Sequence, residues 1–266
     1  MDKSFLFLLA LVASATMFAS EGALSGKFTI NAQGDQVVFS QGNLQYQAST
    51  QTWRFATNQY DYVGDATDGN VYVGETKSDN SLISDTYDGW IDLFGWGTGD
   101  KPILTTSTYY SNFTAYVDWG VNAISNGGNE ANLWRTLTKD EWTYIYRGRS
   151  GAEGLRGHAS IDGVNGFMFF PDGFTIPDGL GFDVATGNLE WGTVNAFTES
   201  QWQSLEQLGV VFLPAAGFRG WAVGSVTTLG RYWSSTAFGD AYDMYFVSGN
   251  SGIEQDSRPG GTPSVL

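Results

Sequence analysis

The chain has 266 residues, long enough to bury a core that needs no covalent staple. Its 28 acidic residues against 13 basic ones give a net charge of -15, which repels a nucleic-acid backbone or an anionic membrane surface and removes both as default partners. The absence of cysteine excludes disulfides, thiol chemistry and thiolate metal sites, while 35 glycines with 15% aromatic and only 15% charged residues describe an ordered, loop-rich protein packed on aromatic rings.

Residues 1–20 (MDKSFLFLLALVASATMFAS) place Lys3 ahead of an apolar run from Phe5 to Val12, followed by small residues at Ala13, Ala15, Ala19 and Ser20. The run is too short to cross a bilayer and has the layout of a secretory signal, with cleavage after Ala15, Ala19, Ser20 or Ala23. No cysteine follows it, so a lipoprotein anchor is excluded, and no later stretch reads as a membrane span. A secreted or cell-surface protein is expected, with residues 21–266 forming one domain.

Between Lys27 and Tyr62 the segments KFTIN, QVVFS, NLQYQ and TWRFA alternate apolar and polar residues, with Gly34-Asp35 and Gly42-Asn43 between the early runs. That pattern predicts a β meander. Residues 64–130 are rich in Gly, Asp, Asn, Ser and Thr, and Trp90, Phe94, Trp96, Tyr116 and Trp119 are placed to pin them as ordered loops.

Two segments carry helix-start signals. In LTKDEWTYIYRG, Thr138 is the N-cap, Glu141 its capping-box partner, Leu137 and Trp142 a hydrophobic staple, and Gly148 the stop. FTESQWQSLEQLG repeats this with Thr198 and Gln201, Phe197 and Trp202, and Gly209; Trp202, Leu205 and Leu208 recur at helical spacing and are expected to face the core. GVVFLPAAGFRG then predicts an apolar strand turned at Pro214, and RYWSSTA, AYDMYFVSG and the terminal stretch predict a final sheet. Two short helices in a β- and loop-rich chain predict an α+β protein.

The segments GALSGKFTIN, VVFSQGNLQY, TWRFATNQYDYVGD, DLFGWGTG, WGVNAISNGGNEANLWRTLTKDEW, GVVFLPAAGFRG and GRYWSSTAFGDAYDMYF together resemble a family of exported bacterial proteins with the C-type-lectin-like fold, in the branch related to formylglycine-generating enzymes. The resemblance spans nearly all of the chain after residue 20. It implies two helices, a twisted antiparallel sheet and long ordered loops. In several such proteins the C-terminal strands and loops bind ligand, and in some their coding DNA is rewritten by a diversity-generating retroelement. The ending departs from the family, which closes on a Gly, SVR and a short apolar tail where this chain has GGTPSVL.

The related enzymes oxidise a substrate cysteine with cysteines of their own, which this chain lacks. A Ser-His-Asp device would need His158, the only histidine, in the turn-like GLRGHASIDG, where a surface or loop role is expected. Paired carboxylates for glycoside hydrolysis are not distinguishable from the many other acids. Asp65, Asp68 and Asn70 in GDATDGN offer oxygens to Ca²⁺ but lack EF-hand spacing and the closing Glu, and surface Asx turns explain them better. No catalytic centre and no cofactor are expected.

If AYDMYFV is a strand, Tyr242, Met244 and Phe246 share a core face, while Asp243, Tyr245 and Val247 share an exposed one. Phe238 and Asp240 precede it; Ser248, Asn250, Ser251, Asp256 and Ser257 follow. Together these make the expected ligand-binding set within residues 230–266, on a frame of Phe212, Phe218, Trp233, Phe246 and the helix aromatics. Asp240, Asp243, Tyr245, Ser248, Asn250, Asp256 and Ser257 are compatible with adenine-directed rewriting of Asn codons, whereas Met244, Glu254 and Gln255 are not obvious products. The function read here is non-enzymatic recognition of a protein or glycan ligand. A structural or surface-assembly subunit and an unrecognised hydrolase are the alternatives.

Overall fold

The computed structural model describes residues 21–63, 84–103, 115–183, 191, 195–219, 223–256 and 265–266. The expected signal segment, the Asp65, Asp68 and Asn70 loop and Ser257 lie outside them.

The expected meander is two separate hairpins. Strands β1 (Phe28–Thr29) and β2 (Gln36–Val37) pair around a turn that uses Gly34 at φ 88. Strands β3 (Leu44–Gln47) and β4 (Thr52–Phe55) pair around a turn that holds Gln51 at φ 53, and β5 (Trp90–Ile91) joins the far side of β3. The Gly42-Asn43 pair therefore joins two sheets instead of turning one. A Cβ on Gly42 would run into the backbone of Ala56, so close approach of these chains explains the glycine.

Helix α1 (Lys139–Thr143) starts as the sequence dictates, with Thr138 Oγ1 accepting from the amide of Glu141 and the Glu141 carboxylate accepting from the amide of Thr138. It runs on as a π-turn over Tyr144–Gly148. Strands β6 (Arg156–Ile161) and β7 (Val164–Phe169) form a hairpin; β8 (Ala196–Phe197) pairs parallel to β6, and β9 (Val211–Pro214) pairs antiparallel to β7. Helix α2 (Glu199–Gln207) links β8 to β9 with the same capping box, formed by Thr198 and Gln201. A small pair, β10 (Phe218–Arg219) with β11 (Val223–Gly224), precedes the final antiparallel sheet of β12 (Leu229–Phe238), β13 (Asp240–Val247) and β14 (Asn250–Asp256). Among the described residues α1 and α2 are the only α-helices, and the protein is α+β.

Alternation along the strands divides the core into layers. On β7, Phe167 and Phe169 face one cluster with Trp142, while Met168, and Phe170 just past the strand, face another with Trp202, so the four-stranded sheet is apolar on both sides. The terminal sheet also sends side chains into two clusters, although its second face carries charges as well. Tyr232, Met244 and Phe246 enter the cluster built on Trp142, while Trp233 and Ala241 enter a third cluster with Trp53, Phe94, Trp96, Trp119 and Trp134.

Trp142 and Trp202 are both buried, as their staples require. Leu208, expected in the core, is instead exposed: the helix ends at Gln207, and the cap residue at position 208 has left the buried stripe. Of the expected frame, Phe212, Trp233 and Phe246 are buried and Phe218 is half-buried.

The aromatic-rich loops are ordered by indole hydrogen bonds. Trp96 Nε1 donates to Ser234 O at 2.8 Å and Trp233 Nε1 donates to Phe94 O at 2.8 Å, which locks the 94–96 loop onto β12. Trp134 Nε1 donates to Gly127 O at 2.7 Å. Each ring fills core volume while its single donor meets a backbone carbonyl, so these loops are held without strand pairing of their own. The terminal sheet thus has packed layers behind it.

Candidate functional site in the C-terminal sheet

The expected ligand-binding residues all belong to the β12–β13–β14 sheet and its turns, apart from Ser257, which is outside the described residues. Strand register fixes their neighbours. Arg231 lies opposite Tyr245, Trp233 opposite Asp243, and Glu254 on the other side of Asp243. Ala241 pairs with Asp256. One face of the sheet therefore gathers Arg231, Asp243, Tyr245, Glu254 and Asp256. The opposite face carries Tyr232, Met244, Phe246 and Ile253 against the Trp142 cluster.

Met244 and Phe246 are in the core as expected, whereas Tyr242 is only half-buried, with the Lys139 ammonium 4.9 Å from its ring centroid. The main correction concerns Asp243. It shares the face of Tyr245 and Val247, yet it is completely buried instead of exposed. The reason is Arg231, whose guanidinium donates to Asp243 Oδ2 at 2.7 Å, lies 2.9 Å from Asp256 Oδ2 and 3.7 Å from Glu254 Oε2, and stands under the Tyr245 ring with Cζ 4.8 Å from its centroid. Period-two alternation assigns a face but does not say which face is covered, and a paired carboxylate can be buried where an unpaired one cannot. Asp243 is therefore removed from the contact surface.

Burial pushes the Asp243 carboxyl up to about 7; Arg231 opposes this, and Asp256 and Glu254 add to the rise. Its Oδ1 and Arg231 Nε are buried without a hydrogen-bond partner. One cation facing three carboxylates is an imbalance that favours keeping a proton.

Two tight turns frame the face. Phe238, Gly239 and Asp240 turn β12 into β13, with Gly239 at φ 80, and Ser248-Gly249 turns β13 into β14, with Gly249 at φ 72. Phe238 is 82% exposed, far beyond the next large apolar side chain among the described residues, Leu208 at 49%. Its carbonyl accepts from Gln255 Nε2 at 2.6 Å, which braces the first turn against β14. Asp240, Ser248 and Asn250 are exposed, and Tyr245, Val247 and Asp256 are half-buried. Ser251 is directed to the other side of the sheet, where its O and Oγ lie 2.8 and 3.0 Å from the Tyr146 hydroxyl. The structure thus leaves Phe238 and Asp240 in contact with solvent at one end of β13, Val247, Ser248 and Asn250 at the other and Tyr245 between them, buries Asp243, and uses Ser251 as a support.

His158 also departs from expectation. It lies on β6 and is buried against Phe167 and Trp191, with Nε2 2.7 Å from Val247 O. Burial depresses its pKa against the opposing pull of the Val247 and Asn250 backbones. Instead of a loop histidine it is a strut under the β13–β14 turn. Sequence reasoning missed it and Arg231. The available signal was a charged residue inside the apolar strand RYWSSTA, with acids on the strands predicted to follow.

One cleft of about 460 Å³, between Asp118, Arg135 and Thr138, touches the terminal sheet at Ser235 of β12, and two others lie elsewhere. One of about 740 Å³ is lined by Tyr46, Trp53, Asp100, Lys101 and Asn122 among others. Another of about 570 Å³ surrounds the Arg149–Asp172 ion pair. Neither contains a residue of the terminal sheet. Among the described residues no group of three or more His, Asp or Glu side chains is arranged to hold a metal ion.

Compared with protein-family models, curated proteins and solved structures, the chain matches none.

Proposed function

We propose that this is an exported, non-enzymatic recognition protein with a C-type-lectin-like fold, and that its ligand, a protein or glycan surface, docks on the outer face of β12–β14. The observation that carries the reading is Phe238. A large apolar ring left 82% exposed at the tip of a braced hairpin costs solvation unless a partner covers it. Further along β13, five residues beyond Asp240 and so roughly 16 Å from the tip at the usual strand rise, Tyr245 offers a half-exposed ring held from behind by a guanidinium, and Asp240, Ser248 and Asn250 supply polar contacts at either end. A stiff aromatic anchor with adaptable polar neighbours is the composition of binding surfaces, because little side-chain freedom is lost on contact.

The α+β organisation, the two capped helices and the long tryptophan-pinned loops support the fold assignment, as does the family resemblance of the sequence. Export rests on the character of residues 1–20. The non-enzymatic reading rests on chemistry: no thiol, and one histidine occupied as a structural strut.

Screening the full chain without residues 1–20 against a glycan panel and a peptide-display library tests the proposal. Hydrogen-exchange protection by a selected binder should fall on residues 238–250. Protection confined to the Trp53–Lys101 cleft would refute this placement, and turnover of a glycan or peptide that one carboxylate substitution abolishes would refute the non-enzymatic reading.

A further inference from the structure

We propose that the C-terminal sheet carries a proton-operated lock, in which Asp243, Glu254 and Asp256 share the single guanidinium of Arg231 and a proton retained on Asp243 keeps the edge strand β14 docked. The recognition face is then most firmly ordered in acid and loosens progressively as pH rises toward neutrality. The lock rests on the recognition reading for its purpose, but its physics can be tested without a ligand.

The geometry makes the argument. Among the described residues, strand β14 pairs only with β13. Its supports on the opposite face are Ile253 against the Trp142 cluster and the Tyr146 hydroxyl on Ser251, and its brace to the first turn is Gln255 on Phe238 O. On the recognition face, Glu254 and Asp256 are drawn to Arg231, whose shortest contact, at 2.7 Å, is to Asp243.

With Asp243 neutral, one cation meets two carboxylates, of which Glu254 has a 42% exposed side chain and is screened by water. With Asp243 ionised, a third charge arises on a group with no solvent contact and with one oxygen lacking any donor. The least costly response is for β14 to open, since that hydrates all three acids at once while β12 and β13 stay paired.

The charged and titratable groups around Asp243 are Arg231 from β12, Tyr245 from its own strand, and Glu254 and Asp256 from β14. On the other face Lys139 of α1 sits over Tyr242. His158 of β6 meets the hairpin at its far turn, through Val247 O and the backbone of Asn250, the first residue of β14.

The sign follows from the raised folded value. Between the ordinary carboxylate range and about 7 the folded face holds a proton that the open strand releases, so rising pH favours opening. The test is hydrogen exchange of the ligand-free chain at acidic and at mildly alkaline pH, with amide rates in residues 250–256 corrected for their intrinsic pH dependence. Opening of that segment should rise on the order of tenfold or more across the titration, because each unit of pKa difference is tenfold in the equilibrium.

Asp243→Asn, neutral throughout, should show no such rise. Glu254→Gln, which removes one of the charges that raise Asp243, should move the midpoint to lower pH, and it decides the matter if the Asn variant does not fold. An unchanged wild-type segment, an unmoved Glu254→Gln midpoint, or a dependence that persists in Asp243→Asn and so belongs to His158, would overturn the lock. A chain that shows no lock but binds through Phe238 and Tyr245 would leave the recognition reading standing, so the two can fail separately.

Discussion

At the scale of single residues, Arg231 separates this sheet from an ordinary solvated one. Replacing it with Met keeps much of the aliphatic stem but leaves the surrounding carboxylates without their cation. Loss of one partner from a buried pair costs ~3–5 kcal/mol. Urea unfolding of Arg231→Met at neutral pH should show a destabilisation of that size, with a smaller loss in mild acid where the acids take up protons. An equal loss at both pH values would mean that packing, not charge, is what the guanidinium supplies.

Other groups titrate in the opposite sense. Asp172 is raised by partial burial but lowered further by the hydrogen bonds of Thr29, Gln36 and Arg149, so its net shift is downward. A folded value below the unfolded one stabilises above the ordinary carboxylate range, and that contribution is lost as pH falls through it. Asp172→Asn should therefore flatten the acid limb of the stability profile, measured by thermal unfolding at a series of pH values, while leaving the limb near neutrality to Asp243.

At the scale of elements, the helices were legible in the sequence because their signals are local. A threonine, an acid or amide three residues on, and an apolar pair around them specify both N-termini. Both capping boxes and both buried tryptophans are where that grammar places them. Thr138→Ala should cost ~1 kcal/mol in chemical denaturation, the usual worth of such a cap.

Leu208 shows the limit of local signals, since helical spacing cannot tell where the last turn leaves the core. The terminal sheet shows it again. Alternation placed Met244 and Phe246 correctly, but coverage of the other face by the 94–96 loop and by Arg231 is a long-range fact that no local pattern encodes. The sheet's inner face also explains its glycine. A Cβ on Gly230 would enter the ring of its strand partner Phe246, so the two form one packing unit. Phe246→Ala should therefore destabilise by ~3–5 kcal/mol, as truncation of a fully buried Phe does. A loss below about 1 kcal/mol would put that face in solvent and reverse the assignment of the sheet.

At the scale of the whole molecule, two sheets separate three aromatic clusters, and the last sheet reaches the surface with one face that is apolar at Trp233 and Ala241 and charged around Arg231. The stiffness of that sheet comes from the Trp233 indole on the Phe94 carbonyl, His158 under one turn and Gln255 on the other. That division of labour answers the contrast between the bulky RYWSST segment and the small, polar letters around it: the first builds the support and the second meets the partner.

The most direct test is titration calorimetry of a selected ligand with wild type, Phe238→Ala and Tyr245→Ala, each checked for unchanged thermal unfolding. The account predicts that each substitution weakens binding by about 1–4 kcal/mol while folding stability stays within about 1 kcal/mol. Unchanged affinity in both variants, with the fold intact, would contradict it and move the site away from the C-terminal sheet.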